Sequence, residues 1–152
     1  HISLKYFFEE FIIGREFNVS VLAGSNGPEV LPIPEIVFQN FPDEKPKIIG
    51  YSAKWDEDSF EYQNTNRVFG LEESDYKLAQ KLKQICLDCW HLFGLNGYAR
   101  IDFRVDENGN PMILEINANP CLSADAGFYA ATQKAGYSFS DVINRIIKDT
   151  WN

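Results

Sequence analysis

From Arg100 to Asn117 the chain reads as two runs of strict period two on either side of Asn108-Gly109. Asn-Gly between alternating apolar residues is the strongest short-range signal for a β-hairpin. With Asn108 and Gly109 as the two central turn residues, Asp102 falls opposite Glu115 and Arg100 opposite Asn117. Side chains alternate faces along a strand, so Arg100, Asp102, Glu115 and Asn117 share one face. Ile101, Phe103, Val105, Met112, Leu114 and Ile116 share the other, the expected core face. A chain with this stretch must build an antiparallel sheet that is apolar on one side and polar on the other.

The polar side sets two carboxylates directly across the ladder, a destabilising arrangement unless something compensates. A hard divalent cation would do so: two carboxylates and an amide oxygen suit Mg²⁺ that keeps water and phosphate in its other positions. Arg100 would suit a phosphate rather than the metal. A solvated outer face, with Asp and Glu paired to surface lysines, explains the same pattern. The pattern alone admits both readings.

The N-terminal third supplies more strands. Leu4 to Ile13 and Glu16 to Leu22 read as a second hairpin turning at Gly14-Arg15, with Phe17, Val19 and Val21 on one face and Glu16, Asn18 and Ser20 on the other. Glu9 and Glu10 interrupt an apolar run, so they belong at a sheet edge or a ligand. Glu29 to Phe38 reads as a strand that Pro32 and Pro34 confine to an edge or a bulge. From Gln39 to Arg67 no helical period is sustained, and a loop of that length in a compact domain is usually functional or mobile. Lys54 and Trp55 lie within it, a cation beside an indole that surface packing would also explain.

Glu72 to Phe93 is the clearest helix, with Ser74 as N-cap, Gly94 beyond its end, and Leu78, Leu82, Ile85, Cys89, Leu92 and Phe93 as its apolar stripe. Cys86 and Cys89 make a C-x-x-C spacing, but mid-helix and without a second pair, so core packing accounts for them better than metal or redox chemistry. Two short helices are expected at 124–135 and 140–149, with Ser138 and Asp141 forming a capping box. Asp106-x-Asn108-x-Asn110 has no bidentate Glu in register for Ca²⁺ and reads as a turn. Strands cluster and helices follow, so the class is α+β with a mainly antiparallel sheet.

A net charge of −8 argues against nucleic acid and anionic membranes as partners, and no apolar run is long enough to span a bilayer. Three cysteines, an odd number, suggest a reducing compartment, hence a cytoplasmic protein. The chain starts at His1 inside an apolar run, as expected for an excised piece of something larger.

Arg100-x-Asp102, then Glu115-x-Asn117 and Asn119-Pro120, resembles the signature of the ATP-grasp ligases, most closely the C-terminal part of the D-alanine–D-alanine ligases. Glu9-Glu10-Phe11-Ile12, Gly14-Arg15-Glu16-Phe17, Ala53-Lys54-Trp55, Gly97 to Asp102, and Ala135-Gly136-x-Ser138-Phe139 agree in order, covering nearly the whole chain. The resemblance implies a partial ATP-grasp domain over residues 1–152, lacking the N-terminal substrate lobe and the early ATP-grasp strands. It assigns Asp102, Glu115 and Asn117 to Mg²⁺, with Mn²⁺ as a substitute. It places Glu9, with the backbone of Glu10 and Ile12, at the adenine, and Glu16 at the ribose. Lys54 would close over the phosphates beside Trp55, and Arg100 would stabilise the transferring phosphoryl group. The implied chemistry joins two amino acids through an acyl phosphate at the expense of ATP, in a parent protein expected to be a homodimer.

Two departures qualify that assignment. Where the family pattern has a Gly whose N–H helps bind the oxyanion, this chain has Cys121, and a backbone donor there survives unless φ must be positive. Where the family has a Ser at the second substrate's carboxylate, this chain has Ala126, next to Asp125. A ligase for another amine, or an inactive Mg-nucleotide-binding module, therefore stands beside the main reading.

Overall fold

A computed structural model of the chain describes residues 9–151, apart from the side chain of Trp55. The strands are β1 (Gly14–Leu22), β2 (Glu29–Val30), β3 (Pro34–Phe38), β4 (Thr65–Phe69), β5 (Tyr98–Asp106) and β6 (Pro111–Asn117). The helices are α1 (Tyr51–Trp55), α2 (Phe60–Gln63), α3 (Leu71–Ser74), α4 (Tyr76–Leu92), α5 (Gly127–Lys134) and α6 (Phe139–Thr150). The strands make one antiparallel sheet in the order β4-β3-β1-β5-β6, with β2 added beside β1. The expected α+β class is the observed one.

Alternation along β1 and β5 builds the core. Phe17, Val19 and Val21 pair directly with Phe103, Ile101 and Ala99, and all six are fully buried. They pack on Leu78, Ala79, Leu82, Cys86, Cys89 and Trp90 of α4. Burial pushes the Cys86 thiol well above its ordinary value, so this cysteine is an apolar core residue. Helices cover one end of the opposite face of the sheet. There Leu22 and Leu31 meet Phe128 and Ala131 of α5 and Val142 of α6, whose first turn is held by the expected Ser138–Asp141 capping box. The rest of that face carries the polar side chains of β1 and β5.

Several expectations change. Gly14-Arg15 is not a turn. Both residues open β1 and pair with Asp106 and Val105, and residues 9–13 form no regular element. A Cβ on Gly14 would lie 1.9 Å from the Val105 carbonyl oxygen, and φ is +153°, so glycine is required by a close backbone approach. The N-terminal half of the expected hairpin, residues 4–8, lies outside the described residues.

The central hairpin turns through three residues, Glu107-Asn108-Gly109, rather than two. Asp106 closes it by accepting from the backbone of Asn108 and Asn110, and Gly109 takes φ +75°. Three-residue loops with a left-handed final glycine are the second common hairpin form. The turn shifts the register by one residue, so Arg104 pairs with Met112 and Phe103 with Ile113. A bulge between there and the site restores the expected pairing. Met112, Ile113 and Leu114 are all exposed on this edge strand, so Met112 and Leu114 do not take the expected core positions.

Glu29 to Phe38 divides into β2 and β3, and β3 lies inside the sheet between β1 and β4 rather than at an edge. Pro34 is tolerated there because it is the first residue of its strand. The stretch 39–67 contains α1, α2 and the start of β4. The long helix starts later than expected: Ser74 ends α3, and Asp75 caps α4 by accepting from the Leu78 N–H. Leu92 and Phe93 are exposed beyond the core, while Ala79, Cys86 and Trp90 take the buried positions. The helix expected at 124–135 begins only at Gly127.

Candidate functional site

Ladder pairing gathers the polar face. Glu16 lies across from Arg104, Asn18 from Asp102 and Ser20 from Arg100, all between β1 and β5. On the other side of β5, Asp102 lies across from Glu115 and Arg100 from Asn117. Three strands thus bring Glu16, Arg100, Asp102, Arg104, Glu115 and Asn117 to one surface. Glu16, Asp102 and Arg104 are nearly buried, whereas Glu115 on the edge strand is exposed.

The opposed carboxylates are compensated by a cation within the sheet. Nε and Nη2 of Arg100 donate to the two oxygens of Asp102, each at 2.7 Å, in the bidentate geometry that guanidinium favours. Burial opposes the charge of Arg100, but the hydrogen bond to Asp102 and the carboxylates of Asp102, Glu115 and Glu16 together hold the guanidinium above its ordinary value. Asn117 turns its side-chain carbonyl to the Asn119 N–H at 2.9 Å, which orients that oxygen and leaves a second lone pair.

A second buried ion pair lies two residues along β5. Arg104 Nη1 donates to Glu16 Oε2 at 3.2 Å and to the Lys47 carbonyl at 2.9 Å, while its Nε donates to the Ile12 carbonyl at 3.1 Å. Desolvation nevertheless wins at Glu16. Burial raises its pKa, the Asp102 charge adds to that, and the charges of Arg104 and Lys54 only partly offset them. Lys54 is exposed on α1, and its charge is one of the smaller influences lowering the Glu16 value.

The remaining expected residues lie around this surface. Glu9 and Glu10 are exposed, and Ile12 is half-buried, on the irregular segment that enters β1. Trp55 ends α1, its side chain outside the description. Cys121 is exposed on the loop after β6, with Sγ 3.0 Å from Ser123 Oγ. Hydrogen bonding with Ser123 lowers its pKa. Among the described residues Asn40 alone combines positive φ with a side chain, so Cys121 carries no left-handed strain.

Among the described residues, no group of three or more His, Cys, Asp or Glu side chains is gathered to hold a metal ion. Asp102, Glu115 and Asn117 offer two carboxylates and an amide oxygen, all hard oxygen donors, with both Asp102 oxygens taken by Arg100 in this structure. Such a donor set fits a hard ion such as Mg²⁺, which completes its shell with water and phosphate, and it does not fit a softer metal that demands nitrogen or sulfur.

A family model described as the D-Ala–D-Ala ligase C-terminus matches residues 2–148. The chain belongs to that family. The D-alanine–D-alanine ligase of Acinetobacter baumannii (strain SDF) is 34% identical over 142 residues, which are 93% of this chain and 42% of that enzyme. The uncharacterized protein y4sG of Sinorhizobium fredii is 36% identical over 139 residues, 91% of this chain and 39% of that protein. In three dimensions, the Bacillus anthracis D-alanine–D-alanine ligase solved in complex with ATP superposes with a TM-score of 0.68 at 21% identity, covering 94% of this chain and 40% of that one. The chain therefore spans about two fifths of the length of these relatives. Its antiparallel sheet with flanking helices is the C-terminal fold of the D-alanine–D-alanine ligase family.

Two further residues stand at or beside this surface, Arg104 and Arg67. Arg104 lies on the polar face by simple alternation from Arg100 and Asp102, a signal that was present. Arg67 of β4 reaches the α5 start, where Nη2 donates to the Asp125 carbonyl at 3.4 Å. No local pattern could have joined residues that far apart in the chain.

Proposed function

We propose that this chain is the Mg-nucleotide-binding part of an ATP-dependent carboxylate–amine ligase. One observation carries the reading: strand pairing places Asp102 opposite Glu115, and Arg100 opposite Asn117, beside the buried Glu16. In the proposed reaction ATP phosphorylates an amino acid carboxylate, and the amine of a second amino acid attacks the acyl phosphate, releasing phosphate and forming a peptide bond. The B. anthracis relative was solved with ATP, which supports the choice of nucleotide.

Asp102, Glu115 and Asn117 are the residues that would hold Mg²⁺, or Mn²⁺ in its place. The bound ion would supply charge neutralisation for the phosphates, the dominant requirement of phosphoryl transfer. The protein's own groups do the rest. Glu16 accepts from the ribose hydroxyls, and Glu9 with the backbone of Glu10 and Ile12 meets the adenine. Lys54, with Trp55 beside it, closes over the phosphates. Arg100 forks on Asp102 here; releasing that fork would free the carboxylate for the ion and the guanidinium for the transferring phosphoryl group. The Cys121 N–H remains available as an oxyanion donor without left-handed strain.

The acceptor is a separate matter. Ala126 stands where the family pattern has a Ser, next to Asp125, whose backbone Arg67 contacts. The missing hydroxyl at Ala126 keeps a ligase for an amine other than D-alanine as the alternative reading. ADP release by the full-length protein against a panel of amino acids identifies both substrates. Glu115→Gln in that protein is expected to lower turnover about 100-fold or more, because one metal-facing oxygen charge is lost. Turnover at the wild-type rate would overturn the reading.

A further inference from the structure

The Arg104–Glu16 pair does more than balance charge. A buried guanidinium is costly unless its donors are satisfied, and Arg104 is only 3% exposed. Its partners come from three separate places: Glu16 on β1, the Ile12 carbonyl on the irregular entry segment, and the Lys47 carbonyl on the stretch that leads to α1. Its guanidinium also lies over an aromatic ring, 5.2 Å from the Phe11 centroid. Residues 9–13 and 39–50 contain no strand or helix that would tie them to the sheet. Phe41 packing and the Gln39–Asn64 backbone bond hold 39–50 to its own neighbours, whereas the hydrogen bonds of Arg104 tie both segments to β5.

We propose that Arg104 is the positioning residue that registers the base- and ribose-recognising groups to the phosphate-binding groups of β5. The inference rests on the nucleotide reading above. Arg104 and Asp102 are two residues apart on one strand face, roughly 6.8 Å along the strand. Holding Ile12 and Phe11 at the first and the metal-facing carboxylates at the second sets the two ends of one nucleotide at a fixed spacing. Arg104 also occupies Glu16 Oε2, which leaves Oε1 of that carboxylate to face the ribose.

The test is calorimetric titration of the full-length protein with Mg-ATP and, separately, Mg-GTP, for wild type, Arg104→Met and Arg104→Lys. Wild type is expected to prefer ATP. Arg104→Met, which keeps an unbranched apolar stem but loses the guanidinium and every donor, is expected to bind Mg-ATP about tenfold more weakly and to lose most of its preference over GTP. Arg104→Lys, which keeps the charge but not the fork, is expected to fall between, roughly threefold weaker for Mg-ATP. A merely structural role would weaken both nucleotides equally and leave the preference intact, and that result overturns the proposal. Unchanged affinity in either variant overturns it too, and Arg104→Lys decides the matter if Arg104→Met does not fold. Wild-type protein that binds neither nucleotide defeats the nucleotide reading itself.

Discussion

Arg100 and Asp102 show how one strand solves an electrostatic problem of its own making. Two carboxylates face each other across β5 and β6, and the cation that offsets them comes from the same strand face, two residues away. Glu16 shows the opposite balance, because burial outweighs a salt bridge to Arg104 and raises its pKa from the ordinary 4.5. A carboxyl whose folded value exceeds its unfolded value stabilises the fold while protonated, and that increment is lost as pH rises through the folded value. Glu16→Gln mimics the protonated form. Its urea midpoint should match wild type near pH 4 and exceed it increasingly towards pH 8; a difference independent of pH would contradict this account. The charge pattern of these residues was legible in the chain. That one of them would be desolvated was not, because burial depends on which segments cover it.

Strands and turns carry a second lesson, visible in two glycines. At Gly14 a Cβ would collide with the Val105 carbonyl, and φ is +153°, whereas at Gly109 a Cβ meets nothing within 4 Å and only the left-handed φ of +75° matters. Gly14→Ala should therefore destabilise by about 3 kcal/mol or more. Gly109→Ala should cost about 1–2 kcal/mol. Equal losses in chemical denaturation would show that the close approach at β1 is not what requires glycine. The hairpin was predicted from Asn108-Gly109 with the right site pairing and the wrong turn. A three-residue loop shifts the ladder by one, and the bulge before Asp102 shifts it back. Local turn preferences are too close in energy to choose between those loops, whereas alternation along β5 is unambiguous. The capping box at Ser138 was equally plain, since both of its partners lie within one helical turn.

Across the whole chain, the covered and uncovered parts of the sheet separate stability from chemistry. One face is closed by α4 and one end of the other by α5 and α6, so the polar side chains of β1 and β5 lie outside both apolar clusters. The chain corresponds to about two fifths of the length of its relatives. By itself it is expected to bind Mg-nucleotide weakly and to release no phosphate from ATP with D-alanine present; a coupled phosphate assay showing steady release would refute that expectation.

Alternation and spacing along the chain were enough to specify the α+β class, the polar strand face and its four residues, because these follow from a period of two and need no knowledge of distant segments. The interior place of β3, the bulge beside the site and the contacts of Arg104 and Arg67 arise otherwise. They depend on which segments meet, and such pairings are settled by packing between residues far apart in sequence, where no local pattern records the partner.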